Sequence, residues 1–168
     1  MAVPYLHFER DGSSGTIFTY RTYADWGLIP DGRLIVNPPD VQEKYIEIPG
    51  RSGELDLSDI LTGSAVLKNR TGSWEFYIVP HGYAFTTEPN NAMVGVTPAQ
   101  RAQTVYNALH GKTVRVWLND DLAHYYTGRV KVKSWPAGKT YSRITIDYNL
   151  APGLNSGSPS GSEVHQAG

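Results

Sequence analysis

The sequence predicts a mainly β domain, a β-sandwich or barrel-like fold with one flanking α-helix at about 98–110 and a long loop at about 49–73. Tyrosine and tryptophan, which favour strands, supply 11 and 4 of the 168 residues, and 17 glycines and 11 prolines favour turns. A chain of this length buries enough surface for one domain. We therefore predict one domain over residues 1–152, followed by a flexible Gly/Ser-rich tail at 153–168.

The chain begins with a predicted β-hairpin. Residues 4–10 and 16–21 have the composition of strands, and the Gly-rich segment Asp11–Gly15 between them is typical of a turn. A turn-like segment around Trp26 follows. These features place two antiparallel strands at the start of the domain.

Two further short strands are predicted at residues 34–36 and 45–48. The first ends at Pro38 and Pro39, because proline donates no hydrogen bond to a sheet and restricts the residue before it. Residues 49–73 then form a predicted loop far longer than the usual 2–5 residues or so of a hairpin. Because this loop carries many apolar residues, we expect it to bury them, either on a neighbouring subunit or back over its own core.

One helix is predicted from Pro98 to His110. Thr97 is a suitable N-cap, proline is favoured at the first helical position, and Gly111 suits the residue after the C-cap. Helical spacing predicts an inner face that packs on the sheet and an outer face in solvent. The inner face comprises Ala102, Val105, Tyr106 and Leu109, and the outer face Gln100, Arg101, Gln103 and Asn107.

A strand at residues 74–79 precedes the helix, and an antiparallel meander at 113–118, 123–134 and 140–149 follows it. Each alternates apolar and polar residues, the period of a half-buried strand. In the meander the even positions are predicted to face the core. The odd positions are predicted to form an outward face of Arg115, Trp117, Arg129, Lys131, Lys133, Tyr141 and Arg143.

Charge is distributed unevenly although the formal net charge is only −1. Residues 1–84 hold 7 Lys and Arg against 11 Asp and Glu, a balance of −4, and residues 85–168 hold 8 against 5, a balance of +3. Opposite charges on the two halves suit head-to-tail contacts between copies of the chain. Two independently solvated surfaces are the alternative.

We find no sequence pattern for catalysis, cofactors or metals. Nucleophile elbows, phosphate loops, dinucleotide fingerprints and His-Glu-x-x-His are absent, and so is cysteine. The histidines (His7, His81, His110, His124 and His165) have no metal-ligand spacing. The chain lacks a long apolar run or a signal-peptide pattern at its start, so we expect a non-enzymatic protein made in the cytosol and not bound to membranes.

Two binding functions remain open from the residues alone. The outward cations with Trp117 and Tyr141 are the kind of surface that holds single-stranded nucleic acid, although any solvated sheet face can look similar. Trp26, Trp117 and Trp135, if exposed, are possible stacking surfaces for a glycan-binding β-sandwich. Both hypotheses require these aromatic side chains to be accessible.

An ordered series of motifs runs along most of the chain. They are Tyr23–Leu28, Asn37–Asp40, Tyr45–Ser58, Leu61–Gly63, Asn69–Arg70 before the strand at 74–79, the helix leading into Leu109–Val116, Tyr125–Val132 and Ser142–Tyr148. In their order and spacing, the chain resembles the N-terminal ring-forming domain of the siphophage distal tail protein family over about residues 17–152. This domain is related in architecture to tail-tube proteins.

The resemblance implies a structural virion protein of the phage tail tip or baseplate. It implies a homo-oligomeric ring, expected to be a hexamer, that joins the tail-tube protein to the tail-tip hub protein. The lumen would admit the tape measure protein and DNA transiently. A tail-tube or adaptor subunit of the same architecture is the nearest alternative.

In such a ring the long loop has a place to bury its apolar residues. We expect its Leu55, Leu57, Ile60, Leu61 and Arg70 to contact an adjacent subunit or ring. From the other motifs we add Trp26, Pro38, Pro39 and Tyr45 as expected interface residues.

Overall fold

The computed structural model describes residues 3–57, 63–78, 96–134 and 142–160. Strands make up 47% of the described residues, so the prediction of a mainly β fold with one helix is confirmed. The strands are β1 (Leu6–Asp11), β2 (Ile17–Arg21), β3 (Leu28–Pro30), β4 (Tyr45–Glu47), β5 (Glu54–Asp56), β6 (Arg70–Ile78), β7 (Thr113–Leu118), β8 (Asp121–Ser134), β9 (Ser142–Leu150) and β10 (Asn155–Ser156). Helix α1 (Pro98–Leu109) lies between β6 and β7, and a 3-10 turn (Ser13–Gly15) joins β1 to β2.

One antiparallel sheet forms the body of the domain. Its strand order is β2-β1-β7-β8-β9-β6-β3, and it curls into half a barrel. Strand β10 pairs with β8 outside this path, and β4 and β5 form a separate two-stranded sheet. The predicted first hairpin and the predicted meander are confirmed as β1–β2 and β7–β8–β9.

The core lies between the inner face of the curled sheet and helix α1. Alternation places Trp74, Phe76 and Ile78 of β6 inside, and the even positions of the meander join them as predicted. Trp74 packs on this face by stacking on Tyr148, with ring centroids 4.3 Å apart. The helix packs against β6, β8 and β9.

Helix α1 has the predicted ends but a wider buried face than predicted. The Thr97 side chain accepts a hydrogen bond from the Gln100 backbone N–H, and the Gln100 side chain accepts one from Thr97, which together form a capping box. Arg101, predicted to face solvent, is only 1% exposed. That prediction was wrong because the apolar stripe recurs at spacings of three and four, and position 101 falls within its width.

The strand predicted at residues 34–36 is absent from the described residues, so this prediction was wrong. The strand that pairs with β6 at this edge of the sheet is β3, whose Leu28 lies opposite Ile78. The 34–36 segment still packs on the core, and the Trp74 indole N–H donates a 2.9 Å hydrogen bond to the Ile35 carbonyl. Side-chain contacts therefore replace the predicted sheet pairing there.

The outer face of β7 is covered, contrary to the prediction for Trp117. This side chain is 1% exposed and contacts the ring of Tyr125 at a centroid distance of 4.9 Å. Its indole N–H donates to the carbonyl of Gly157, so the C-terminal segment lies over it. The described part of the predicted tail, up to Ser160, is thus attached to the sheet, whereas Trp135 and Tyr141 lie outside the described residues.

Candidate assembly surface

The predicted long loop contains β5, the second strand of a β-hairpin whose first strand, β4, lies within the strand predicted at residues 45–48. Strands β4 and β5 pair so that Tyr45 lies opposite Asp56, Ile46 opposite Leu55 and Glu47 opposite Glu54. Two glycines in the intervening turn, at positions 50 and 53, have φ values of 80° and 86°, which other residues rarely adopt. We call residues 45–56 the ribbon.

The ribbon projects from the body of the domain. Among the described elements, β4 and β5 pack on each other, and neither has extensive contacts with another strand or with the helix. An isolated two-stranded hairpin is at best marginally stable in water. The ribbon is therefore the kind of element that contact with another molecule stabilises.

Exposed apolar side chains concentrate at and around the ribbon. Seven large hydrophobic residues are exposed in the described part of the chain, and five of these lie between residues 35 and 67. The five are Ile35, Val41, Tyr45, Ile46 and Leu67. Such a concentration on the surface of one domain is typical of a protein interaction site.

The two faces of the ribbon differ in chemistry. Directly opposed residues share a face, so Ile46 and Leu55 form an apolar ribbon face. Tyr45, Glu47, Glu54 and Asp56 form the other, which we call the acidic ribbon face. The carboxylate of Asp56, followed by that of Glu43, raises the pKa of the exposed Tyr45 phenol, as expected where negative charge accumulates.

The segment that precedes the ribbon is fastened to the sheet at Asn37. The Arg70 guanidinium donates to the Pro152 carbonyl at 3.0 and 3.2 Å and to the Asn37 carbonyl at 3.3 Å. The Asn37 side chain donates to the Thr71 carbonyl at 2.9 Å, and its backbone N–H donates to the Tyr148 hydroxyl at 2.9 Å. These bonds give Arg70 a role within its own chain, in holding the Asn37 segment and the C-terminal end of β9 together.

The residues expected at an interface differ in accessibility. Tyr45 and Pro38 are exposed, whereas Pro39, Leu55, Leu57 and Arg70 are half-buried. Trp26 is 2% exposed and stacks on Tyr20 at 5.0 Å inside the core, so its side chain has little surface to offer another subunit. Ile60 and Leu61 lie outside the described residues.

Ile46 was not among the expected interface residues, and the pairing of β4 with β5 was not predicted, although β4 lies within the strand predicted at 45–48. The signal for the second strand was present, since Glu54–Asp56, like Tyr45–Glu47, places an apolar residue between flanking polar groups, with glycines between the two segments. The shortness of β5 hid the pattern, because a run of three residues gives too little alternation to recognise.

A second surface lies on β8, where Arg129, Lys131 and Lys133 are all exposed. Alternation puts Arg129 and Lys131 on one face, and Lys133 follows at a register shift between Val132 and Ser134. We call these three cations the cationic row. Arg129 and Lys131 also line a groove of about 870 Å³ on the outside of the sheet, together with Thr71, Ser73, Thr127 and Asp147. The Arg129 guanidinium donates a 2.6 Å hydrogen bond to the Gly111 carbonyl.

No cluster of three or more metal-ligating side chains occurs within the described ranges. In the same ranges no helix has the length and apolar character needed to cross a membrane.

Comparison with known proteins gives a fold similarity. No family model matches the chain, and no curated protein matches it significantly. The structure is similar to the crystal structure of SPP1 Dit (gp 19.1), described as a paradigm of the hub adsorption apparatus in phages that infect Gram-positive bacteria. The TM-score is 0.52 at 13% sequence identity, and the match covers 86% of this chain but 49% of that one. The chain therefore shares a fold with about half the length of a phage hub protein.

Proposed function

We propose that this protein is a structural subunit of a phage tail. The observation that carries the proposal is the shared fold with SPP1 Dit across 86% of the chain. It agrees with the motif series at residues 17–152, from which the same class of protein was expected. The proposed location is the tail tip of the virion, after synthesis in the bacterial cytoplasm.

In this proposal the protein forms a closed ring, expected to be a hexamer, between the tail-tube protein and the tail-tip hub protein. The tape measure protein and DNA pass transiently through the lumen of this ring. The projecting ribbon supports an assembling role, because its exposed Tyr45 and Ile46 are 46% and 41% accessible in the single chain. Burial of such side chains is favourable by about 25 cal/mol per Å² of apolar surface.

Sheet edges support the same role. Strands β2 and β3 end the sheet, and open edges are aggregation hazards unless they are covered or paired. In a closed ring, each subunit can cover or pair with the open sheet edge of its neighbour.

A glycan-binding function has less support than the role of a structural subunit. Trp26 and Trp117, two of the three tryptophans considered for stacking on sugars, are 2% and 1% exposed. An aromatic ring buried in this way presents no platform to a ligand.

The proposal is tested by the mass and shape of the purified protein. Light scattering should give the mass of a ring, and negative-stain micrographs should show an open centre. Tube and hub proteins from the same phage, added separately, should each bind, whereas a tail-tube subunit should stack on further copies of itself. A strict monomer that associates with neither partner would contradict the proposal.

A further inference from the structure

The acidic ribbon face carries a local electrostatic conflict. Glu47 lies directly opposite Glu54 across the hairpin, and Asp56 occupies the next position on the same face. Like charges directly opposed on neighbouring strands destabilise the pairing. A positively charged surface placed against this face would remove the repulsion.

The cationic row also brings like charges close together, and here the charges are positive. Arg129 and Lys131 project from one face of β8, about 7 Å apart, and the exposed Lys133 follows at a register shift between Val132 and Ser134. Their cross-strand neighbours on β9 compensate only partly, since Asn149 lies opposite Arg129 and Asp147 opposite Lys131. The groove beside the row is open and lined by small polar side chains, so it can accept side chains from another molecule.

Within one chain, the acidic ribbon face does not neutralise the positive charges of the cationic row. Among the described elements, β4 and β5 have no extensive packing with β8. One chain therefore displays an acidic surface and a basic surface at separate places, each complementary to the other. The ribbon belongs to the half of the sequence with a charge balance of −4, and the cationic row belongs to the half with a balance of +3.

We propose that the acidic ribbon face of one copy lies against the cationic row of the next copy. The inference rests on the proposed function, because it supposes that the chain assembles with itself. The contact joins two different surfaces, so repetition closes a ring when the rotation between copies allows it. Charge complementarity of this kind fixes register and speeds association.

Charge reversal tests the contact. Glu54→Lys on the ribbon, or Lys131→Glu in the row, should each raise the concentration needed for half-assembly by about 10-fold, an effect that added salt weakens. A chain carrying both changes should regain assembly. Asp120→Lys, an equal change of charge in the exposed β7–β8 turn, is the matched control and should assemble normally. Circular dichroism of each variant checks that it is folded.

Cysteine cross-linking tests the same contact directly, because the chain has no cysteine of its own. Glu54→Cys protein is mixed with Lys131→Cys protein and treated with a short bifunctional thiol cross-linker. A cross-link between the two variants is expected, because the linker spans the distance between the Cα atoms of an opposed Glu and Lys, which exceeds the roughly 7 Å that a disulfide allows. Neither variant alone offers that pair, so the product must join two chains, and Asp120→Cys mixed with Lys131→Cys should give none.

The outcomes separate this inference from the proposed function. Rings that form normally after either reversal, without the mixed cross-link, would overturn the contact and leave the proposal of a ring subunit intact. A ribbon that cross-links to a hub or tube protein instead would overturn the assignment of its partner. A chain that never assembles, alone or with tail proteins, would overturn both.

Discussion

The indole Nε1 of Trp117 donates a 2.8 Å hydrogen bond to the carbonyl oxygen of Gly157, which lies 40 residues further along the chain. This bond and the pairing of β10 with β8 hold the C-terminal segment over the outer face of the sheet. Next to it, the Ser160 backbone N–H donates a 2.5 Å hydrogen bond to the buried carboxylate of Glu9. A segment with the composition of a linker is thus part of the folded domain.

Replacing Trp117 with phenylalanine should lower the free energy of unfolding by about 1–3 kcal/mol, because the Gly157 carbonyl loses its donor and the smaller ring leaves space. Urea unfolding measures the change. Tyr125→Phe is the matched control, since it keeps the ring that contacts Trp117 and should change stability by less than about 0.5 kcal/mol. Equal effects in the two variants would contradict the role assigned to the hydrogen bond.

Gly128 lies where β8 approaches β9 too closely for a side chain. A Cβ atom there would contact the Asn149 carbonyl oxygen and lie 2.6 Å from the Leu150 Cα. Gly128→Ala should therefore separate the strands and cost about 2–3 kcal/mol, measured by thermal or urea unfolding. Gly153→Ala is the control, because a Cβ at Gly153 meets nothing within 4 Å. A Gly128→Ala protein as stable as the unmodified protein would contradict this prediction, because it would show that β8 and β9 can move apart without cost.

His7 should make stability depend on pH. Burial lowers its pKa below the ordinary value of 6.5, although the neighbouring Glu9 acts in the opposite direction. The unfolded chain then binds the proton more readily, so His7 costs the protein stability as pH falls below about 6.5, until the folded form also takes up the proton. The free energy of unfolding, measured from about pH 8 to 5, should fall less steeply for His7→Gln than for the unmodified protein. Parallel profiles would contradict this prediction.

Ile46→Ser should weaken assembly and leave the single subunit intact. The side chain is 41% exposed in the single chain, so its removal should change the free energy of unfolding by less than about 0.5 kcal/mol. In a ring that buries the apolar ribbon face, the same change removes contact area, and sedimentation should show a smaller assembled fraction. Leu122→Ser, at 39% exposure on the start of β8, is the matched control and should assemble normally. Loss of assembly in both variants would argue for a general surface effect.

Elements with a strong local pattern could be predicted from the sequence. The helix at α1 combines a capping residue, a first-position Pro98 and a terminal Gly111, and all three occur where expected. Strands β6 and β8 are long enough for alternation to reveal which side faces the core. In these cases each residue's local preference and its tertiary environment agree.

Two of the errors occurred where a distant segment decides the environment of a residue. Trp117 sits on the outward side of its strand, as alternation predicts, yet the segment around Gly157 covers it. Nothing near position 117 encodes that cover. In the same way, residues 34–36 pack on the core without joining the sheet, whereas β3 pairs with β6.

Local sequence patterns are enough to predict a mainly β domain with one helix, and the ordered motifs resemble those of the siphophage distal tail protein family. The pairing of β5, within the predicted loop, with β4 and the opposition of Glu47 and Glu54 become visible only in the folded chain. The two kinds of information act over different distances along the chain. Periodicity, caps and turns act over a few residues, whereas strand register and the covering of a sheet face depend on contacts between residues far apart in the chain.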